Sequence, residues 1–402
     1  MRSPPATGRW APLCPEPSAT PTSLRGRMGV RLPIALACCL ALLAVPAKAE
    51  AEGSVPDGFY GVMFDGKALR APVSVQQKQF ALMAQSGVET VRATFNWARV
   101  QPRRRSRLDW RRIDQLVAIA AARRITVLPV VIYAPGWARA FPRRRFSPPR
   151  VGPYAAFLRA AVRRYRPGGV FWTKRPWLPA RPIRHWQVWN EPTLPSFWRT
   201  PKKSSYAWPR GYVRLLKASN RAIKGADRNA KTVTAGLVGP SWTEFRRLYR
   251  NGAKGSFDVA ALHVYPQTLV RVQVAVRRVL AELRRARDRR ARIFLTEVSF
   301  PASRGKAKPI RGQRQETSAS MARRLEELYA SVISSRKRTR LDRVYWYTWA
   351  SDYVRRSSNF NFAGLVASRD GIEFKPQPAL EAYRSSAQYF HGCPTDAFGV
   401  CR

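Results

Sequence analysis

Residues 185–192 read HWQVWNEP. Trp186, Val188 and Trp189 make the front half a run of large side chains with no helical spacing, which fits a buried strand. The back half puts an amide and a carboxylate, Asn190 and Glu191, at the strand's end, and Pro192 then stops the ladder. A carboxylate at such a point is partly desolvated, so its pKa rises towards that of a usable general acid. The organisation of the rest of the chain follows from what stands opposite Glu191.

On either side of this stretch, β-type apolar runs alternate with amphipathic helical runs. The strands are expected at Phe59–Asp65, Thr90–Trp97, Ile125–Tyr133, from His185, Thr232–Gly239, Phe257–Tyr265, Arg292–Phe300 and Arg343–Ala350. Helical segments are expected at Val75–Ser86, Asp109–Arg123, Val151–Tyr165, Gly211–Lys224, Thr243–Asn251, Leu269–Arg287, Gln313–Ser334 and Pro378–Tyr389. ITVLPVVIY at residues 125–133 is nearly all apolar, as expected for a strand covered on both faces. Eight such units with no internal linker predict an α/β fold, a single (β/α)8 barrel. A doubly wound open sheet is the alternative, but no Gly-rich phosphate turn follows the first strand.

In such a barrel, functional groups gather at the C-terminal strand ends. Glu191 ends the fourth strand, and Glu297, in FLTEVSF, sits near the end of the seventh. The two are 106 positions apart, which is three units of about 35 residues and places them across the barrel mouth. Two facing carboxylates are what glycoside hydrolysis requires: one protonates the leaving oxygen, the other attacks or activates water. Either Glu alone reads more simply as a salt-bridged barrel residue; the pair, in aromatic strands, points to catalysis.

With this pair the chain resembles the clan A glycoside hydrolases, and within them families 5 and 39. The resemblance runs from the first strand to the last helix. It rests on Asn190-Glu191-Pro192, Glu297, Arg92 in VRATFNW, Trp97 with Gln101-Pro102, Pro135-x-Trp137, His263-x-Tyr265, Trp349, Gly364-Leu365 and Lys375-Pro376. It implies that Glu191 is the general acid/base and Glu297 the nucleophile. It further implies that Asn190 bonds the sugar 2-hydroxyl and that Arg92 keeps Glu297 ionised. Tyr265 would bond the nucleophile, His263 would line the subsite nearest the bond being cut, and Trp349 would be the sugar platform. Asn190 and Glu191 would point to opposite faces of a regular strand, so both reach the sugar only if the strand bends there.

The ends and the charge bound the rest. Residues 28–49 read as an export signal: Arg25, Arg27 and Arg31 flank a 14-residue apolar run, Leu32–Val45, and Ala47-Lys48-Ala49 offers a cut after Ala49. Met28 is a candidate start, and residues 1–49 are set apart from a catalytic domain at 50–390. In the tail, 391–402, Cys393 and Cys401 are expected to pair as a disulfide in an exported chain. With five Cys and three His, the chain has too few ligands for a Cys/His metal cluster. The net charge is +49, and six cations and one anion in residues 1–49 leave 67 against 23 in the remainder. Arg is scattered over every helix and loop, which reads as a compositional background and not as a nucleic-acid site. A rival reading places Arg92, Arg99, Arg139 and Arg143–Arg145 along the cleft, where they would favour uronate-containing chains.

Together these features predict an exported, extracellular retaining glycoside hydrolase acting on β-linked carbohydrate, with no metal or cofactor and no lasting membrane insertion once the signal is cut. A transglycosylase using the same residues, or a carbohydrate-binding cell-surface protein on a retired barrel, are the alternatives. Retention of both carboxylates argues against retirement.

Overall fold

The computed structural model describes residues 55–308, 314–353 and 358–391. The expected export signal, the Met28 start and the Cys393–Cys401 pair lie outside the described residues. Eight strands close into a barrel in chain order: β1 (Tyr60–Phe64), β2 (Thr90–Asn96), β3 (Thr126–Ile132), β4 (His185–Val188), β5 (Lys231–Val233), β6 (Val259–Val264), β7 (Arg292–Val298) and β8 (Leu341–Trp346). Every neighbouring pair is parallel, including β8 with β1. The crossovers carry α1 (Val73–Gln85), α2 (Trp97–Val100), α3 (Arg111–Ala122), α4 (Val151–Tyr165), α5 (Val170–Thr173), α6 (Arg210–Ala226), α7 (Ser241–Arg250), α8 (Leu269–Arg285) and α9 (Ser318–Thr339), and α10 (Pro378–His391) follows β8. This is the (β/α)8 barrel that the alternating pattern predicts. No helix among the described residues is long and apolar enough to cross a membrane.

The barrel interior is a packed layer. Leu128, Val233, Val259, Ala261, Phe294 and Tyr345 form a buried cluster of their own inside the ring of strands. The period-2 alternation then sets what lies above them. On β2, Arg92 shares the inward parity with Thr90 and Thr94, while Val91, Ala93 and Phe95 join the larger core beneath the helices. The predicted α3 face, Ile113, Leu116, Val117 and Ala120, is buried as its spacing requires.

Three local features depart from the sequence reading. Strand five was expected over Thr232–Gly239, but the ladder stops at Val233. Thr234 breaks it with its own side chain, whose Oγ1 accepts the Ala261 amide at 2.9 Å, and Leu237 rejoins by bridging Leu262. A Cβ at Gly236 would fall 1.9 Å from His263 Nε2, so glycine at this position leaves room for the imidazole. Short helices, α2 and α5, occupy segments read as strand end and connection. After β8, a small sheet of β9 (Ala350–Ser351), β10 (Val366–Ala367) and β11 (Lys375–Pro376) was not foreseen, although Lys375-Pro376 had been singled out.

Candidate active site

β4 ends at Val188, and the backbone then leaves strand geometry. Trp189 has φ of 69° and Glu191 of 37°, both in the left-handed region that a non-glycine residue enters at a cost of roughly 1–3 kcal/mol each. The break cancels strand alternation, so Asn190 and Glu191 reach the same mouth. Such strain persists only where the surroundings over-determine it, and here they do. Trp189 is buried, its Nε1 donates to the Phe197 carbonyl at 3.0 Å, and its ring meets Tyr154 and Trp198 edge-on.

A second irregularity aims Glu297. Between β6 and β7 the register runs Leu262 to Leu295 and then His263 to Glu297, so Thr296 is an extra residue on β7. The β7–β8 ladder slips over the same stretch. Thr296 Oγ1 donates to the Leu262 carbonyl at 3.2 Å and fills the gap. A bulge of this kind turns the next side chain, and Glu297 emerges beside His263.

Arg92 ties the centre together. It is 1% exposed and spends its guanidinium on four partners: Nε on Gln187 Oε1 at 2.8 Å, Nη1 on Glu297 Oε1 at 2.6 Å and on Met63 Sδ at 3.1 Å, and Nη2 on Asn190 Oδ1 at 2.7 Å. Tyr265 donates its hydroxyl to Glu297 Oε2. Burial and the Glu297 charge push that phenol well above its usual range, so it stays a donor. His263 stands between the carboxylates, with Nδ1 2.7 Å from Glu191 Oε1 and Nε2 3.4 Å from Glu297 Oε1. Burial holds its imidazole down to about 3, so the ring is neutral at physiological pH. Desolvation pushes the Glu191 carboxyl up to about 7, only partly opposed by Arg92. An acid protonated near neutrality therefore faces a carboxylate that is ion-paired to a buried guanidinium.

One oxygen of Glu191, one of Glu297 and a His263 nitrogen lie within 4.8 Å of one another. Three such donors have the spacing of a metal site, but the Arg92 guanidinium already takes the cation's position on Glu297. A divalent ion there would meet that fixed charge at close range, so the donor set fits proton transfer better.

Of the seven residues expected at the site, the structure gathers six: Glu191, Glu297, Asn190, Arg92, His263 and Tyr265. His263 is buried and contacts both carboxylates. Trp349 does not come to the mouth. It is 0% exposed, belongs to the core and donates Nε1 to Gln79 on α1 at 2.9 Å, so neither face is open to a sugar. The aromatic residue at the mouth is Tyr347, which sequence reasoning missed. It is half-buried, its amide donates to the Val298 carbonyl at 2.9 Å, and its ring packs edge-on to Tyr265 and Phe360. Burial and the nearby Glu297, Asp65 and Glu191 all push its phenol up, which sets it close to the Glu191/Glu297 pair. The signal was the alternation itself, because Tyr345 and Tyr347 share the inward parity and Trp346 does not.

Two clefts flank this centre. One, of about 530 Å³, runs along the ends of β2, β3 and β4 and includes Arg99, Tyr133, Arg139, Arg145 and Trp189. Another, of about 470 Å³, lies beside β6 and α8 and includes His263, Tyr265, Trp242 and Arg278. Arg143 and Arg144 are exposed and line neither.

The space that Gly236 leaves for His263 gives a direct test. Gly236→Ala should expel the imidazole from between the carboxylates and lower kcat/KM by roughly 10–100-fold. The same change should lower stability by about 1–3 kcal/mol. Wild-type kinetics in this variant would show that His263 has no part in the site.

No family model matches the chain, and no curated protein resembles it in sequence. Solved structures do. A monomeric beta-xylosidase from Caulobacter crescentus CB15 superposes with a TM-score of 0.60 at 17% identity, covering 83% of this chain and 68% of that one. A family 39 glycoside hydrolase from the gut symbiont Bacteroides cellulosilyticus WH2 gives 0.60 at 18% identity, covering 84% of this chain and 64% of that one. The chain shares its fold with clan A glycoside hydrolases. A family 5 enzyme variant (GH5_18) from Streptomyces cattleya, in complex with Manb1-4GlcNAc, also gives 0.60 at 18% identity, over 84% of this chain and 81% of that one. The chain thus spans about two thirds of the length of the xylosidase and somewhat more of the family 5 enzyme.

Proposed function

We propose that this protein is a glycosidase that hydrolyses β-linked carbohydrate with retention of configuration. The observation that carries this reading is the carboxyl pair. Glu191 and Glu297 each present an oxygen within 4.8 Å of the other, near enough for both to reach one anomeric centre as acid and nucleophile. Their environments also differ as the two roles require: one is protonated near neutrality, the other is ion-paired with Arg92.

In this mechanism Glu191 gives its proton to the glycosidic oxygen as the leaving group departs. Glu297 attacks the anomeric carbon from the opposite face and forms a glycosyl ester. Water then enters, Glu191 takes its proton, and the hydroxide so generated displaces Glu297. Asn190, held by Arg92, offers its amide N–H to the sugar 2-hydroxyl, a contact that tightens as positive charge develops on the ring. Tyr347 provides the aromatic face on which the sugar rests. The chain from residue 50 to 390 is the catalytic domain, and the leader sends it out of the cell. The carbohydrate bound to the family 5 relative supports a carbohydrate substrate here.

The linked titration makes a stability prediction. Glu191 binds its proton more tightly folded, at about 7, than unfolded, at 4.5, so this stabilisation is complete below pH 4.5 and is lost as pH rises through about 7. His263, near 3, is neutral across that window and adds nothing to it. Glu191→Gln should therefore remain more stable than wild type at about pH 8, by up to roughly 3 kcal/mol, and the gap should close towards pH 4.5. Thermal melts across this range check it, and parallel curves for the two proteins would contradict the burial of a raised carboxyl.

A further inference from the structure

The cleft beside β2, β3 and β4 has a composition that the hydrolysis does not require. Among its lining residues are three arginines, Arg99, Arg139 and Arg145, and no carboxylate. Each guanidinium is placed but not neutralised. Arg99 sits on the one-turn helix α2, where Asn96 Oδ1 accepts its backbone amide at 3.2 Å, and its side chain meets no acid. Arg139 gives only Nε, to the Ala134 carbonyl at 3.3 Å, which leaves both terminal nitrogens. Arg145 lies over the Phe146 ring at 4.9 Å, and that stacking holds the plane of its fork. Arginines elsewhere are engaged otherwise: Asp114 holds Arg164 and Arg175, and Glu282 holds Arg246 and Arg285.

The cleft adjoins the reacting centre. Trp189, the neighbour of Asn190, forms part of its wall, and the phenol of Tyr133 on the same wall is raised by burial, by Asp65 and, least, by Glu191. Tyr133, Phe146 and Trp189 also give it aromatic surface suited to sugar rings. The adjacent cleft on the β1 side, of about 880 Å³, holds Asp65 and Asp109 together with Arg70, Arg99 and Arg112, and Asp65 also acts on Tyr347 at the mouth. Towards β3 the arginines stand without a carboxylate among the lining residues.

We propose that this arginine-lined cleft is a subsite for a carboxylated sugar unit, so that the enzyme acts on chains containing uronate residues. The proposal rests on the glycosidase reading and names its substrate class. A planar guanidinium pairs with a carboxylate through two parallel N–H···O bonds, a geometry that a diffuse positive surface does not supply.

The test must separate this pairing from the attraction of a protein at +49 for any polyanion. Three probes are titrated by calorimetry into wild-type protein at about 150 mM salt, where long-range attraction is screened: a β-1,4-linked glucuronate tetramer, cellotetraose and tetraglutamate. The glucuronate tetramer should bind at least about ten-fold more tightly than either of the others. Arg99→Gln/Arg139→Gln/Arg145→Gln should erase that preference while keeping cellotetraose affinity. Arg284→Gln/Arg289→Gln/Arg290→Gln, which removes the same charge from exposed positions before β7 at the opposite barrel face, should keep the preference. If the cleft triple fails to fold, Arg145→Gln alone should weaken the glucuronate tetramer selectively. Equal affinity for the glucuronate tetramer and cellotetraose, binding of tetraglutamate as tight as glucuronate, absence of binding by either sugar, or the same loss in the control triple would overturn the proposal. Hydrolysis is scored separately on a panel of neutral aryl glycosides, so a failed glycosidase reading shows as no turnover on any of them, whatever the binding data.

Discussion

Glu297→Ala should remove turnover, with kcat/KM falling on the order of 10⁵-fold, because in the proposed mechanism this carboxylate forms the covalent intermediate. Azide should then restore part of the rate and yield a glycosyl azide of inverted anomeric configuration. The small anion enters the space that the carboxylate vacated and attacks from the same face, and no second displacement follows. NMR of the product reads the outcome. A rescued product of retained configuration, or activity that survives without azide, would remove Glu297 from the nucleophile's role. Stability is the necessary control. Arg92 is 1% exposed and loses its ionic partner in this variant, and breaking a buried pair costs about 3–5 kcal/mol. The remaining bonds to Gln187 and Asn190 should keep the guanidinium in place, so the variant is expected to melt lower yet remain folded at room temperature.

The second large effect concerns Glu191. Glu191→Ala should slow substrates with poor leaving groups by roughly 10²–10⁴-fold and activated aryl glycosides far less in the first step, because a good leaving group departs without a proton. The pH profile should change with it. In wild type the first step needs Glu191 protonated, so kcat/KM should fall as pH rises through about 7, where burial has pushed that carboxyl. In the variant this alkaline limb should vanish. Equal losses on both kinds of substrate, or a limb that persists without Glu191, would assign the proton to another group. Tyr265 does not supply it, since its phenol is raised well above the usual range and its hydrogen already bonds Glu297.

Much of this centre was legible in the sequence because barrel geometry is periodic. From β4 to β7 the strands start at residues 185, 231, 259 and 292, three units on, and each delivers its last inward side chains to one rim. Glu191 and Glu297 could therefore be paired across the mouth from 106 positions apart. Arg92 on β2 and His263 near the end of β6 both reach Glu297. Trp349 shows where counting stops. It follows β8 by three residues, and outside the regular strand the alternation no longer decides which way a ring points. There, packing against Gln79 and the core took Trp349 inwards, and Tyr347 was left at the mouth.

Sequence alone determined the fold class, the strands that face each other and the residue types at the rim. These depend on local propensity and on periods of 2 and 3.6, both of which can be read along one dimension. Tertiary structure alone decided three further points: the left-handed turns at Trp189 and Glu191, the extra residue at Thr296 on β7, and the close approach of His263 to Gly236 where β5 has left the ladder. Each is a break in periodicity, and each is held by contacts with residues far away in the chain. Whether a carboxyl near neutrality keeps its proton depends on how much water those contacts exclude, and that is a property of the closed barrel, not of any segment within it.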